Sequence, residues 1–320
     1  MSAKLILATE AIPITSIGVV IYGRPGVRKT SLAQTAAKPF TFAFDKGIYR
    51  CFGRRDCATF DTWEDVVQAC RDADSIRSGN SSTGELANAV ANAGTLVIDT
   101  IALAMESLAR SICQDSKMGN RNGGLSIAGY GVLANRFASW VTDRHSVGQD
   151  VVMIAHEDSE KVGDEEYHFP AVLGRKFYAT LMYHADLVGY IQVQGGKYIL
   201  DFNPSDGYMA KAPPCKWPSM SLPDFAGAPD FLDTRIKQAK AAMGKASCQS
   251  SQIVKIVEEW TEWLSTDPNI DQLNERLPSL SKLDQLPKRQ VWSKVQSFAK
   301  EGGLSFDTAG LCFYRQEVAK

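Results

Sequence analysis

The run Val19-Val20-Ile21-Tyr22-Gly23-Arg24-Pro25-Gly26-Val27-Arg28-Lys29-Thr30-Ser31 constrains this chain more than any other stretch. Its apolar start reads as a buried strand, its middle as a tight loop, and its end as the first turn of a helix. A loop poor in side chains can wrap backbone N–H groups around phosphate oxygens, and a helix start turns its positive end on the same anion. The spacing is that of a P-loop, G-x-x-x-x-G-K-[ST]. Gly23 opens it and Lys29-Thr30 close it, while Arg28 stands where the last glycine belongs.

These residues set the first expectations. Gly23, Pro25, Gly26, Val27, Arg28, Lys29, Thr30 and Ser31 form the nucleotide cradle, Lys29 reaches the β- and γ-phosphates, and the Thr30 hydroxyl ligates Mg²⁺. The plain alternative is a strand–turn–helix of an ordinary α/β protein. A left-handed backbone at Arg28 would cost about 1–2 kcal/mol. Its side chain could also crowd the phosphates or add charge to them. Nucleotide binding and hydrolysis are therefore expected to be weaker than in an Arg28→Gly chain.

Composition narrows the class. The chain has 320 residues, 44% hydrophobic and 22% charged, which suits one or two globular domains. A net charge of −1 leaves no global footprint for nucleic acid, so any such binding needs a local patch. Seven scattered cysteines form no C-x-x-C pair and four histidines no H-E-x-x-H pair, which points to reduced thiols in the cytoplasm and to no zinc site. No apolar run approaches the roughly 20 residues of a membrane span, so no membrane partner is expected.

Along the chain, helix is expected over 29–38, strand over 40–44 ending at Asp45, and helix from an N-cap at Thr62 to about residue 73. Residues 74–84 read as a loop and 85–93 as a short helix. Thr95-Leu96-Val97-Ile98-Asp99 is an apolar strand ending in an acid, placed to hold Mg²⁺ beside Thr30. Asp99 could instead cap the helix expected over 101–113. Residues 117–131, with five glycines, read as a mobile loop, followed by a helix over 132–144. The strand 150–157 would bring His156 to the ligand edge of a parallel sheet, as a γ-phosphate sensor or as a merely satisfied strand-end histidine. Residues 158–176 read as a second polar loop, with the acidic run Asp164-Glu165-Glu166 and then Arg175-Lys176. Runs at 186–194 and 197–202, joined by Gly195-Gly196, read as a β-hairpin.

Residues 203–229 are rich in Pro and Gly and read as an extended connector. Helices are expected over 231–243 and 251–264, the latter with a core stripe of Ile253, Val257, Trp260 and Leu264. Residues 267–320 read as helical pieces broken by prolines. There Lys282, Lys288, Arg289, Lys294 and Lys300 alternate with Trp292 and Phe298, either as a solvated helix face or as a surface for single strands.

The order P-loop, Asp45 strand, Asp99 strand, His156 strand, hairpin is similar to the RecA-like ATPase core. It more closely resembles the phage-encoded AAA/RecA-like ATPases of the Sak single-strand-annealing group. The residues that carry this are G-R-P-G-V-R-K-T-S at 23–31, F-D-K-G at 44–47, L-V-I-D-T at 96–100, Y-G at 130–131, I-A-H-E at 154–157 and A-D-L-V-G at 185–189. The resemblance spans roughly residues 15–212. It implies an α/β RecA-like P-loop NTPase core: a mostly parallel sheet with helices on both faces and an antiparallel hairpin. The expected domains are that core over 1–212, a connector over 213–230 and a mainly helical region over 231–320.

The resemblance further implies ATP and Mg²⁺ as cofactors and single-stranded DNA as partner, in phage recombination, annealing or repair. It implies a homo-oligomer, ring or filament, in the host cytoplasm, with a phage single-strand-binding protein as a further partner. Asp45 would activate water and His156 would report the γ-phosphate. Arg121, Arg175 and Lys176 would touch DNA phosphates, while Tyr130 or Tyr167 would stack on bases. Two other classes stay open: a nucleotide-binding assembly module that does not hydrolyse, and a P-loop kinase for a small molecule, against which the hairpin counts.

Overall fold

Every residue of β1, Gly18–Gly23, is buried, because this strand is the middle of a sheet covered on both faces. The computed structural model describes residues 5–51, 53–80, 84–163, 165–215 and 217–315. It divides into two compact units, residues 14–243 and residues 1–13 with 244–320.

In the first unit β1 leads into α1 (Lys29–Ala33), β2 (Pro39–Ala43), a 3₁₀ turn (Lys46–Arg50), β3 (Cys57–Thr59), α2 (Trp63–Arg77) and α3 (Glu85–Asn92). Next come β4 (Thr95–Asp99), α4 (Ile101–Ile112), α5 (Ile127–Ser146), β5 (Asp150–Val162), β6 (Glu165–Pro170) and α6 (Arg175–His184). The unit's last strands are β7 (Leu187–Gln194), β8 (Lys197–Asp201) and β9 (Met220–Ser221). The sheet runs β3-β2-β4-β5-β1-β7-β8-β9, with β6 paired to β5 outside this row. The first six of these are mutually parallel, and β8 and β9 add antiparallel neighbours. This is the expected α/β P-loop NTPase core.

Side-chain alternation splits the core in two. Val20, Tyr22, Ile98 and Met153 face α2, α4, α5 and α6. Val19, Ile21, Val97 and Ile154 face α1 and the start of α7 (Phe231–Ser265), through Leu32, Leu232 and Ile236. Asp99 and His156, each two residues beyond a member of the second set, therefore come out on the α1 side.

Several boundaries differ from the sequence expectation. The first helix stops at Ala33 instead of Lys38, because Thr35 and Ala36 switch to i−3 bonds and Lys38 takes a positive φ of 41°. The expected glycine-rich loop is turns over 117–126, and its last five residues belong to α5. Asn120 Oδ1 accepts from the N–H groups of Asn122 and Gly124, and Ser126 caps α5 five residues earlier than expected. The expected polar loop over 158–176 is largely the β5–β6 hairpin and the start of α6; of its acidic run, Asp164 lies outside the described residues. The Gly195-Gly196 hairpin forms as expected, both glycines having positive φ. The two helices expected over 231–243 and 251–264 are one helix of 35 residues.

The second unit contains the later part of α7, then α8 (Ile270–Arg276), a 3₁₀ turn (Leu277–Lys282), α9 (Gln285–Glu301), and a hairpin of β10 (Leu304–Asp307) and β11 (Cys312–Arg315). Trp260, Leu264, Leu273, Leu277, Val291, Val295 and Phe313 are among its buried core, and Val257 packs on it. Among the described residues no helix is long and apolar enough to cross a membrane.

One partly buried ion pair ties α2 to α5. The Arg144 side chain is 5% exposed and forks onto both carboxylate oxygens of Asp74, which also accepts from Arg77. Burial pushes the Asp74 carboxyl up, but the two arginines outweigh it and hold it below its ordinary value. Asp74→Ala strands a buried cation and should cost about 3–5 kcal/mol in urea denaturation, with recovery in Asp74→Ala/Arg144→Met. The sign with pH follows: the pair's contribution is full above the ordinary carboxylate pKa and is lost as pH falls through the lowered one. The stability gap between wild type and Asp74→Ala should therefore narrow in acid.

Candidate nucleotide site

Parallel pairing brings the functional residues to one edge of the sheet. Gly23 at the end of β1 pairs with His156, and Asp99 at the end of β4 pairs with Ile154 on one side and Ala43 on the other. The N–H groups of Phe44 and Asp45 both donate to the Asp99 carbonyl, at 2.7 and 3.1 Å, which holds Asp45 beside it. Strands lie about 4.8 Å apart, so β1 and β4, separated by β5, leave a gap of roughly 10 Å. A side chain from α1 closes it: the Thr30 hydroxyl donates to Asp99 Oδ2 at 2.7 Å.

The loop itself requires glycine twice. A Cβ on Gly23 would lie 2.4 Å from the Ile191 carbonyl oxygen. Gly26 has a φ of +82° and open space where its side chain would be. Arg28, the N-cap of α1, adopts the left-handed conformation at φ 68°, ψ 24°. Its side chain leads away from the loop. Nη1 donates to the Pro223 carbonyl at 3.1 Å, and the guanidinium lies 4.4 Å from the centre of the Phe225 ring and 5.9 Å from that of Tyr198.

Removing this anchor should not simply relieve strain. A glycine at 28 recovers about 1–2 kcal/mol of backbone cost. It forfeits a partly desolvated cation–π contact and a charge-assisted hydrogen bond, together about 2–4 kcal/mol. Arg28→Gly is expected to lower the denaturation free energy by about 1 kcal/mol, and a stabilised variant would mean the anchor contributes little.

Electrostatics single out three residues. Lys29 is 6% exposed, and its Nζ donates to the carbonyls of Gly23 and Arg24 at 2.7 and 2.8 Å. Burial outweighs the attraction of Asp99, Glu157 and Asp45, and lowers its pKa to about 8. Asp99 is pushed up by burial and by the like charge of Asp45, against the Thr30 hydrogen bond and Lys29. His156 is pushed down by burial and then by Lys29, and its buried Nδ1 has no hydrogen-bond partner among the described residues. Asp45 accepts from the Gly47 N–H as a turn cap. Asp99 does not cap α4, whose N-cap is Thr100, so its carboxylate is left to Thr30.

The residues expected at DNA lie elsewhere on the first unit. Arg121 is exposed at the tip of the turn before α5. Tyr130 sits half-buried in the first turn of α5, so close to Gly174 that a Cβ there would lie 2.9 Å from its ring. Arg175 and Lys176 are exposed at the start of α6, with the Lys176 amine against Gly131. Tyr130 and Lys176 are thus brought together, and Tyr130 is a packed helix residue instead of a loop tip. Tyr167 lies in β6, its hydroxyl on the Met209 sulfur.

A family model described as an AAA domain matches residues 15–213. This chain belongs to the AAA domain family. The AAA domain covers the sheet from β1 to β8 and both halves of the site, and it is a P-loop ATPase domain by its fold and motif. No curated protein matches the sequence. Among solved structures the AAA domain is similar to a KaiC-like protein from the hyperthermophilic archaeon Pyrococcus horikoshii OT3. The two share 12% identity at a TM-score of 0.32, over 60% of this chain and 87% of that one.

Sequence reading missed two groups of the AAA domain's site. Arg24 of the loop donates to Glu157 Oε1 at 2.8 Å, and Tyr190 donates to Glu157 Oε2 at 3.1 Å. Alternation along β5 could have placed Glu157 opposite His156, but nothing local marks its partners. The Pro223–Phe225 seat of Arg28 lies 195 residues away in sequence and leaves no local signal.

Proposed function

We propose that this protein binds and hydrolyses MgATP and couples that cycle to single-stranded DNA. The observation that carries the first half is the Thr30–Asp99 hydrogen bond with buried Lys29 beside it. A cation, a hydroxyl, a carboxylate and a glycine-shaped loop are the donor set a magnesium–nucleotide requires. Loop amides and Lys29 would hold the triphosphate, and Thr30 and Asp99 would hold the metal. Bound Mg²⁺ supplies neutralisation of phosphate charge. Asp45 would orient the attacking water, and His156, in register with Gly23, would report the terminal phosphate. With the Arg28 side chain turned away to Pro223, its left-handed backbone is the remaining ground for slower turnover than in Arg28→Gly.

The DNA half rests on Arg175 and Lys176 at the start of α6, together with Arg121. Helices that return between parallel strands start at the strands' carboxyl edge, the edge of the nucleotide site. A homo-oligomer working in phage recombination or annealing fits this reading. The hairpin beside it, with Glu160, Glu165 and Glu166 exposed, suits phosphate poorly. The test is ATP turnover with and without an oligo-dT strand. Stimulation that is lost in Arg175→Ala/Lys176→Ala supports the proposal, and turnover indifferent to DNA removes its second half. Nucleotide binding without turnover would favour the assembly module, a reading helped by Asp45 already being engaged as a cap.

A further inference from the structure

We propose that the second unit carries a docking groove for an acidic peptide segment with aliphatic or aromatic side chains, contributed by a partner protein. A cavity of about 660 Å³ opens on this unit, with Leu277, Pro278, Leu280, Trp292, Phe306 and Leu311 as its apolar lining. That volume lies within the range of small binding clefts and admits a few large side chains. Lys288 and Arg289, exposed on the first turns of α9, line the same cavity.

Charge decides what fits. Between residues 275 and 301 the chain holds Arg276, Lys282, Lys288, Arg289, Lys294 and Lys300 against three acids, Glu275, Asp284 and Glu301. Arg276 lies over the rings of Trp260 and Trp263. The other five cations are exposed and, among the described residues, make no ion pair. An apolar slot edged by two exposed cations, Lys288 and Arg289, is complementary to a segment that alternates carboxylates with apolar side chains. A guanidinium fork binds a carboxylate with two parallel hydrogen bonds, and Arg289 offers one.

Leu311 adds a second observation. It lies on the turn between β10 and β11, 69% exposed, in the left-handed conformation at φ 52°. Both features are unfavourable for leucine, so the unit's own folding does not account for its presentation at the groove. A nucleic-acid strand fits less well. Leu277, Pro278, Leu280 and Leu311 of the lining offer no flat face to a base. The Trp292 ring is already packed on Phe306 and Phe313, at 4.9 and 5.9 Å between centroids.

The experiment uses the full chain and fluorescence anisotropy. The probes are a labelled peptide alternating Asp and Glu with Leu and Phe, the same peptide with Ser for Leu and Phe, the same with Lys for the acids, and a labelled oligo-dT strand. The first peptide should bind saturably, and both altered peptides at least about tenfold more weakly. Leu311→Ser and Lys288→Glu/Arg289→Glu change exposed residues, and each should weaken the first peptide by about fivefold or more, with MgATP binding unchanged. The proposal is overturned if no peptide binds, if the Ser peptide binds equally well, or if the variants leave affinity untouched. It is equally overturned if oligo-dT binds and is the probe that both variants weaken, which would make this a nucleic-acid surface. Concentration-dependent self-association abolished by Leu311→Ser would instead assign the groove to a second copy of this chain.

Discussion

Lys29→Ala is expected to cut ATP turnover by at least about a hundredfold in a protein that still folds. The loss follows from position. Lys29 is the buried cation at the mouth of the loop, and its amine already lies within hydrogen-bond distance of Gly23 and Arg24. Those two partners are neutral carbonyls, which explains why burial dominates its titration and brings its pKa to about 8. A triphosphate would replace neutral partners by anionic ones, and that difference is what the alanine variant forfeits.

The same burial makes a second, independent readout. An unfolded lysine titrates near 10.4, so between about pH 8 and 10.5 the unfolded chain binds more protons at this site than the folded one. Wild-type stability should therefore rise with pH through that window relative to Lys29→Ala, by on the order of 3 kcal/mol if the amine stays as buried as it is at neutral pH. Denaturant titrations of both proteins at pH 7.5 and pH 10 measure it. Unchanged turnover in Lys29→Ala would place the chemistry elsewhere. A pH-independent stability difference would mean that water reaches the amine.

How much of this was legible beforehand depended on how local the cause was. The P-loop, the Asp99 strand and the Gly195-Gly196 hairpin are set by residues within a few positions of one another, and each shows its element type in the sequence. The α5 start was misplaced because glycines at 119, 123, 124, 129 and 131 look like a flexible run. Asn120 and Ser126 order that run through their side chains, which composition does not reveal. The second loop was misread for a related reason. Residues 157–161 are polar on both faces and residues 165–170 open with two glutamates before Tyr167 and Phe169, so alternation did not flag the hairpin. Arg28 shows the opposite limit. Its left-handed backbone was foreseeable from the glycine it replaces, but the destination of its side chain depends on Phe225, far along the chain.

Asp99→Asn should move stability and function in opposite directions. The Asp99 side chain is nearly inaccessible, its carboxyl is pushed up first by burial and then by the neighbouring charge of Asp45, and among the described residues it makes no ion pair. Asparagine keeps an oxygen to accept from Thr30 and removes the buried charge. An acid with a raised folded-state pKa stabilises the fold below its unfolded value and loses that contribution as pH climbs through the raised one. Once the carboxyl is ionised the wild type has lost that contribution, and the asparagine variant has nothing to lose. The variant should then melt a few degrees higher, as a gain of about 1 kcal/mol gives for a domain of this size. Metal binding needs that charge. Wild type at an MgATP concentration a hundredfold above Kd gains about 2.7 kcal/mol. In Asp99→Asn the magnesium-dependent part of that gain should vanish, along with at least about a hundredfold of turnover. A variant that melts lower would show that the carboxylate is fully compensated in the folded chain, and one that keeps its magnesium increment would move the metal away from β4.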